Sequence, residues 1–490
     1  MVSQPRLVIA GTRSGDGKTT VATGLMAALA ARGLRVSAHK VGPDYIDPSY
    51  HAAATGRPGR NLDPWLTSPE LIAPLFRHGA GTADVSVIEG VMGLFDGVTG
   101  RGDLASTAHV ARLLSAPVVL VVSATGVARS IAATVHGFAT FDPATRVAGV
   151  VLNQVGSPRH EAILREAIAP SGIPVLGALP AEATLHTPSR HLGLVPAAER
   201  AGQVSDWLPR LRDLITRHLD LDQLLSIART APALTARPWS PHDAIAARGP
   251  AGSGPASSGP GPGEPGRGAP AGRPPRVAGA AGRAFTFGYA EHRELLEAAG
   301  AEVTEFDPMT VEHLPPGTDA LVIGGGFPQV YVEDLAANAA LRAEVRARVA
   351  GGMPVVAECA GLLWLGGTLD GREQCGVLPA AARMSGRLTL GYREATALAD
   401  SPLAAAGTAI RAHEFHRTVS EPAAGPAPAW QLADGTRQGW ATSRLLASYL
   451  HLHWAGLPAA AARLTAAARA GRVAQPGRAP APATGPAPAS

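Results

Sequence analysis

Residues 10–20 read Ala-Gly-Thr-Arg-Ser-Gly-Asp-Gly-Lys-Thr-Thr. A glycine-rich run of this kind turns successive backbone N–H groups toward phosphate oxygens, and a following helix adds the positive end of its dipole. Gly11, Gly15, Gly17, Lys18, Thr19 and Thr20 are therefore the expected ATP-binding residues, with Lys18 on the outer phosphates and Thr19 on Mg²⁺. Thr12 stands where the common pattern has its first glycine, with Gly11 one position earlier. Far downstream, Ala357-Glu358-Cys359-Ala360-Gly361 sets a thiol between an apolar run and a helical stretch. A strand–turn–helix elbow presents such a thiol at the top of a sheet, and the helix N-terminus is expected to lower its pKa. One end of the chain thus suggests nucleotide chemistry and the other thiol chemistry.

Acids gather around the phosphate loop. Lys40-Val41-Gly42-Pro43-Asp44-Tyr45-Ile46-Asp47-Pro48 carries two carboxylates three apart beside a lysine, stiffened by two prolines. Glu89 ends the apolar run Val85-Ser86-Val87-Ile88, where a Walker-B carboxylate would stand, and Asp96 follows in a Gly-rich turn. Thr19, Asp47 and Glu89 are the expected Mg²⁺ ligands, and Lys40, Asp44, Tyr45 and Asp96 the expected substrate-binding residues. Cys359 needs a base from elsewhere in the fold. His413, His416, His451 and His453 are the candidates, and His451 is preferred because Ala447 to His453 reads as a short strand leading into a loop. The run Gly324-Gly325-Gly326-Phe327-Pro328 supplies backbone amides, so Gly325 and Gly326 are the expected oxyanion donors. Cys375 has no such setting and is read as structural.

These groups need a scaffold. The first 200 residues alternate short β-branched runs with helical patterns: Leu7 to Ile9, a strand around Val36, Val85 to Ile88, Pro117 to Val122, Val147 to Leu152 and Pro174 to Leu176. A helix is expected over Lys18–Arg32, closed by Gly33. Alternation with continuously apolar strands predicts an α/β fold with a doubly wound parallel sheet. A second α/β unit follows, with strands over Ala320 to Ile323 and Pro354 to Ala357 and a helix over Leu335–Val349. The expected divisions are a P-loop ATP-dependent domain over 1–231, a Gly/Pro-rich linker over 232–283, a second domain over 284–469 and a disordered tail over 470–490.

Composition sets bounds. The chain has 490 residues, 46% of them hydrophobic, and two cysteines, which exclude a disulfide framework or a zinc knuckle. No signal peptide and no membrane-spanning run is read, so a cytoplasmic location is expected. The net charge of +4 comes with no basic stripe interleaved with aromatics, so neither nucleic acid nor membrane is an expected partner. Among 43 Lys plus Arg only Lys18 and Lys40 are lysines. A compact ammonium suits crowded phosphate oxygens in a way that a planar guanidinium does not.

Taken in order, Gly-Asp-Gly-Lys-Thr-Thr, Lys-Val-Gly-Pro-Asp-Tyr-Ile-Asp-Pro, Glu89-Gly-Val-Met-Gly-Leu-Phe-Asp96-Gly, Gly-Gly-Gly-Phe-Pro, Ala-Glu-Cys-Ala-Gly and His413-Glu414-Phe415-His416 resemble cobyrinic (or hydrogenobyrinic) acid a,c-diamide synthases. The resemblance spans all but the linker and tail. It implies a class I glutamine amidotransferase-like α/β domain behind the P-loop domain, and ATP- and glutamine-dependent amidation of two carboxylates on a corrinoid ring in cobalamin biosynthesis. The family's nucleophile maps onto Cys359 and its histidine onto His451. The implied partners are a corrinoid, L-glutamine and ATP, with a homodimer left open.

Three positions depart from expectation. His453 stands where class I amidotransferases usually carry a Glu, which implies a dyad or a third residue from elsewhere. Ser123 stands where an Asp is expected. Arg276 to Arg283, due to form the first strand of the second domain, reads as a weak strand. Cobyric acid synthase chemistry on other carboxylates of the ring is the nearest alternative, with a nickel-sirohydrochlorin amidating relative further off. A partitioning-type P-loop ATPase switch is the alternative from another class, and it would need no thiol domain.

Overall fold

The structure, a computed structural model, describes residues 4–181, 189–190, 193–194, 196–247 and 273–473. Seven apolar strands form the first sheet: β1 (Arg6–Gly11), β2 (Val36–Val41), β3 (Arg60–Leu62), β4 (Val85–Glu89), β5 (Val118–Ser123), β6 (Val147–Val155) and β7 (Val175–Pro180). Their spatial order is β3-β2-β4-β1-β5-β6-β7, parallel throughout. Both faces are covered, which is why β1, β2 and β4 are buried along their whole length rather than alternating. The strand order reverses beside β1, so the crevice where such sheets bind ligands opens at its C-terminal end.

The helix after β1 runs Lys18–Ala31 and ends as the sequence predicts, with Gly33 in the left-handed region just past the cap. It is apolar nearly all round because a second helix, Ala201–His218, covers its outer face. Contact is close: a Cβ on Gly24 would lie 2.4 Å from Ile215 Cγ1.

The second sheet runs, in spatial order, Glu302–Phe306, Arg276–Ala280, Thr318–Ile323, Val355–Glu358, Leu445–Ser448 and Trp440–Thr442, parallel except for the last pair. Arg276–Ala280 corrects the linker reading. It lies between two strands with Val277 and Ala278 fully buried, so ladder bonds on both sides order a segment whose small side chains give little strand propensity. The 232–283 span also holds a helix, Pro241–Ala246, started by Ser240, whose hydroxyl accepts from the Asp243 amide at 3.2 Å. Most of the Gly/Pro run, 248–272, lies outside the described residues. The final helix, Ala459–Val473, continues past 469, and the rest of the tail also lies outside them.

The single helix expected over Leu335–Val349 is two, Val332–Ala337 and Ala339–Ala350. Asn338 breaks it: Nδ2 donates to the carbonyls of Pro308 and Val311, while Oδ1 accepts from the Leu341 amide and starts the next helix. A further sheet, unread in the sequence, is built on the long antiparallel pair Ala381–Ala397 and Ala409–Glu421, extended by Leu450–His451.

Candidate active site

At the nucleotide end, Gly15 and Gly17 take φ of 89° and 92°, the left-handed region that a phosphate-wrapping turn requires. A Cβ on Gly17 would lie 2.1 Å from Asn153 Nδ2, which itself donates to the Asp16 carbonyl at 2.8 Å. Asp16 is buried, and its Oδ2 accepts from the Thr12 amide and hydroxyl at 2.8 and 2.6 Å and from the Arg13 amide at 3.1 Å. Thr12 is thereby tied into the loop in place of the missing glycine. Sequence reasoning passed over Asp16 and Asn153; the unusual Thr12 was the signal for the first. Lys18 Nζ donates to the Arg13 carbonyl at 3.0 Å, so its stem folds back along the loop. Burial, then neighbouring Lys40, lowers the Lys18 pKa.

The expected metal ligands converge. Thr19 Oγ1 lies 2.6 Å from Glu89 Oε1 and 3.4 Å from Asp47 Oδ2. Lys40 Nζ, also buried, donates to Asp47 Oδ2 at 2.5 Å, Glu89 Oε1 at 2.8 Å and the Gly90 carbonyl at 3.0 Å. His51 Nε2 meets the other oxygen of Glu89 at 2.6 Å. Burial opposes the charge on Lys40, but Asp47 and Glu89 outweigh it and hold the ammonium well above its ordinary pKa. Burial likewise opposes the charge on Glu89, and Lys40 and His51 outweigh it and keep the carboxylate ionised. Asp47 moves the other way: burial and the like charges of Asp44 and Glu89 raise it. Two carboxylates and a hydroxyl are hard oxygen donors, few enough to leave room for phosphate and water, which fits Mg²⁺. No cluster of three or more His, Cys, Asp or Glu suited to a metal occurs among the described residues.

The expected substrate residues separate. One oxygen of Asp44 holds the turn by accepting from the Ile46 and Asp47 amides at 2.7 and 3.2 Å. Asp96 is exposed beyond β4, its Oδ2 accepting from the Gly93 amide at 2.9 Å. Tyr45 faces the second domain. Its ring is buried in the seam between the two domains, stacked on Phe287 at 4.9 Å and 12° and packed on Tyr289 at 4.8 Å and His451 at 5.1 Å. A large aromatic ring on a loop facing the second domain gains by that burial, and it also lines a cavity of about 470 Å³ with Phe287, Tyr289 and Glu358. Ion pairs cross the same seam: Arg60 of β3 binds Glu291 at 2.7 Å and Glu294 at 2.5 Å, and Tyr392 OH donates to Asp63 at 2.8 Å.

At the thiol end, Cys359 takes φ 49° and ψ −98°, a strained conformation for a side chain with a Cβ, enforced by the turn from Val355–Glu358 into Ala360–Leu365. Its amide donates to the Ser448 carbonyl at 2.7 Å, and Sγ lies 3.7 Å from the Phe415 carbonyl. Gly361 is required here, since a Cβ would fall 2.4 Å from the Ile323 carbonyl oxygen. The expected lowering of the thiol pKa does not occur: burial pushes it up to about 12, against the amides of Ala360 and Gly326, which favour the thiolate. A helix of one and a half turns contributes less than complete desolvation removes. Those two amides are the groups directed at the reacting sulfur. Gly326 was expected there. Ala360, the residue after the nucleophile, was missed although the elbow itself is the signal for it. Gly325 instead gives its carbonyl to the Phe287 amide at 3.0 Å and sits against His451.

Of the four histidines, His451 lies three residues beyond Ser448, whose carbonyl anchors Cys359. It is buried, its Nε2 has no hydrogen-bond partner among the described residues, and burial lowers its pKa to about 3. The resting site is thus a neutral thiol with a neutral imidazole. Glu358 Oε2, on the residue directly before Cys359, stands 3.8 Å from His451 Nδ1. His453 faces Glu291 at 3.7 Å and stacks on Tyr289 at 4.2 Å. Ser123, where an acid was expected, bonds Gln154 Oε1 at 2.8 Å. A Cβ on Gly325 would lie 2.4 Å from His451 Cε1, so Gly325→Ala should displace the imidazole and cut glutamine-driven turnover about 100-fold. Glutamate release, set beside amidation driven by added ammonia, checks this; a loss confined to the glutamine assay is the expected result.

Residues 7–195 match the CobQ/CobB/MinD/ParA nucleotide binding domain, and residues 276–458 match the CobB/CobQ-like glutamine amidotransferase domain. The hydrogenobyrinate a,c-diamide synthase of Streptomyces coelicolor is 56% identical over 94% of this chain and 96% of its own length. The enzyme of the same name from Mycobacterium tuberculosis is 49% identical over 94% and 97%. The cobyrinate a,c-diamide synthase of a Synechococcus species is 42% identical over 92% and 96%. The chain belongs to the a,c-diamide synthase family. As an a,c-diamide synthase family member it is a glutamine amidotransferase-type ligase of cobalamin biosynthesis; the first matched domain holds the first sheet, and the second holds the other two. The partitioning-ATPase alternative is thereby set aside, since such a switch needs no amidotransferase domain. No helix among the described residues is long and apolar enough to cross a membrane.

Proposed function

We propose that this chain amidates the a and c carboxylates of hydrogenobyrinic acid, using ATP and glutamine. The observation that carries the reading is near-full-length similarity to enzymes of that name, at 56% and 49% identity against 42% for the cobyrinate enzyme. Both buried cysteines are free, in keeping with a reducing cytoplasm.

Hydroxide is a poor leaving group, so each ring carboxylate must first be activated. A carboxylate oxygen attacks the γ-phosphorus of ATP, ADP departs, and an acyl phosphate remains. The glycine amides and Lys18 hold the phosphates, while Lys40 answers the charge that shifts during transfer. Thr19, Asp47 and Glu89 would hold Mg²⁺, which supplies positive charge to the phosphate oxygens. In the second domain Cys359 gives its proton to His451 Nε2 and attacks the carboxamide carbon of glutamine. The amides of Ala360 and Gly326 receive the developing oxyanion, the His451 imidazolium returns its proton to the departing nitrogen so that ammonia leaves, and water hydrolyses the glutamyl thioester to glutamate and the free thiol. Ammonia then displaces phosphate from the acyl phosphate. Protonation in bulk water would disarm it. The seam at Tyr45 supports a short transfer, because the segment that ends in Lys40 and Asp47 also touches His451.

The test offers hydrogenobyrinic acid and cobyrinic acid in parallel, with ATP, Mg²⁺ and glutamine, and counts added amides by mass spectrometry. Two amides on the metal-free ring are expected. Amidation of the cobalt ring alone would overturn the choice of substrate, and amidation of neither would turn the reading toward cobyric acid synthase chemistry.

A further inference from the structure

Among the described residues His451 Nε2 has no hydrogen-bond partner, and the carboxylate facing Nδ1, Glu358 Oε2, stands 3.8 Å away, past hydrogen-bond distance. A base that serves a thiol is ordinarily oriented by a third polar group. Here packing fixes the ring. The strand Leu450–His451 pairs with Ala409–Glu421, His451 opposite His413, which sets the backbone. Gly325 crowds the imidazole on one side, since a Cβ there would fall 2.4 Å from His451 Cε1. Tyr45 packs on it at 5.1 Å and 44°, and Phe287 is the next ring at 6.3 Å and 56°. Of these groups only Tyr45 belongs to the first domain.

Tyr45 is firmly mounted. The carbonyl of Asp44 accepts from Asn61 Nδ2 at 2.7 Å, and the same Nδ2 donates to the Gly42 carbonyl at 2.8 Å. On the other side of the tyrosine, Asp44 Oδ1 accepts from the Ile46 and Asp47 amides, and Asp47 Oδ2 is clamped by Lys40. The ring therefore cannot swing without shifting Asp47. Its far face bears on the oxyanion loop as well: Tyr45 stacks on Phe287 at 4.9 Å and 12°, and the Phe287 amide donates to the carbonyl of Gly325, the neighbour of Gly326. The base and the loop that carries an oxyanion amide thus lean on one side chain from across the seam.

We propose that Tyr45 is a positioning residue for the glutaminase: from the first domain it sets the His451 imidazole, and the turn that ends in Asp47 governs where it stands. The inference rests on reading Cys359 and His451 as the glutaminase pair. An imidazole without a hydrogen bond to orient it keeps its aim only while its neighbours fill the space around it. Loss of the flat ring lets the imidazole turn away from Sγ, and a small misplacement of a base costs much of the rate. Glutamine binding is untouched, so the loss falls on kcat rather than on KM.

Glutamate release from glutamine by the full chain, with ATP, Mg²⁺ and the ring acid present, tests this beside amidation driven by added ammonia. Tyr45→Leu should lower kcat for glutamate release at least about tenfold, with KM for glutamine within about twofold of native. That loss should exceed any loss of ammonia-driven amidation by at least about fivefold. Tyr45→Phe, which keeps the ring, should restore release to within about twofold of native. Asn61→Ala should lower the same kcat about threefold or more, although both hydrogen bonds of Asn61 lie within the first domain. Should Tyr45→Leu fail to fold, Asn61→Ala, which removes no part of the seam, still decides. A native kcat in Tyr45→Leu overturns the proposal, and so does a raised KM with kcat kept, which would put Tyr45 in contact with glutamine. Undiminished release with fewer amides formed per glutamate also overturns it, since Tyr45 would then seal the seam rather than set the base. Cys359→Ser separates the two levels: continued glutamate release by that variant sinks the nucleophile reading, whereas its silence beside a native kcat in Tyr45→Leu sinks only the positioning role.

Discussion

Cys359→Ser is expected to lose glutamine-driven amidation by at least about 1,000-fold while amidation driven by added ammonia remains measurable. The size of the effect follows from what the fold spends on this one atom. The backbone is bent to φ 49° at Cys359, two amides are directed at the sulfur, and His451 keeps a buried Nε2 without a hydrogen-bond partner among the described residues. Serine keeps the elbow and the amides, but its alkoxide is far harder to form. The thiol pKa of about 12 and the imidazole pKa of about 3 make even the native proton transfer uphill before substrate arrives. With the ordinary hydroxyl pKa higher still, the remaining base cannot make up the difference. The ammonia route bypasses this site altogether, because ammonia meets the acyl phosphate held in the first domain. Undiminished turnover of glutamine by the variant would remove Cys359 from the chemistry. Equal loss by both routes would instead mean that the seam, not the thiol, had been damaged.

Much of this was legible in the residues, for identifiable reasons. Parallel strands buried on both faces announce themselves as apolar runs, so five of the seven strands of the first sheet were located from Leu7 to Leu176, and a sixth around Val36. β3, three residues at the edge beginning with Arg60, has too little pattern to read. Gly33 marked the end of the first helix because only a residue without Cβ takes φ 81° at no cost. Arg276–Ala280 was read as weak since Ala and Gly say little alone; its order comes from two neighbouring strands that lie elsewhere in the chain. The same limit applies to the site. Thr19, Asp47 and Glu89 could be grouped from spacing because loops at the ends of adjacent parallel strands must meet. Tyr45 could not be placed, because its partners Phe287, Tyr289 and His451 belong to another domain. Glu358 and Ala360 flank the nucleophile and were passed over because attention to motifs favours glycines and histidines.

Lys40→Met should abolish amidation by both routes and lower stability by about 3–5 kcal/mol, a fall in Tm of roughly 10 °C. The side chain is 4% exposed and clamps carboxylates that are 9% and 0% exposed, so methionine preserves the volume and leaves Asp47 and Glu89 buried without their cation. The pH dependence identifies the cause. In the native chain Glu89 is held below its ordinary pKa, so its contribution is present above about pH 4.5 and is lost as pH falls through the lower folded value. Without Lys40, burial dominates and the folded pKa of Glu89 rises above the unfolded one. Stability then falls as pH rises through that window, opposite in sign to the native behaviour. The difference in Tm between native chain and variant should therefore widen from pH 5 to pH 8. Thermal melts at four or five pH values in that range decide the matter. A deficit independent of pH would mean that the loss is one of packing, and a variant as stable as the native chain would mean that Lys40 does not compensate these carboxylates.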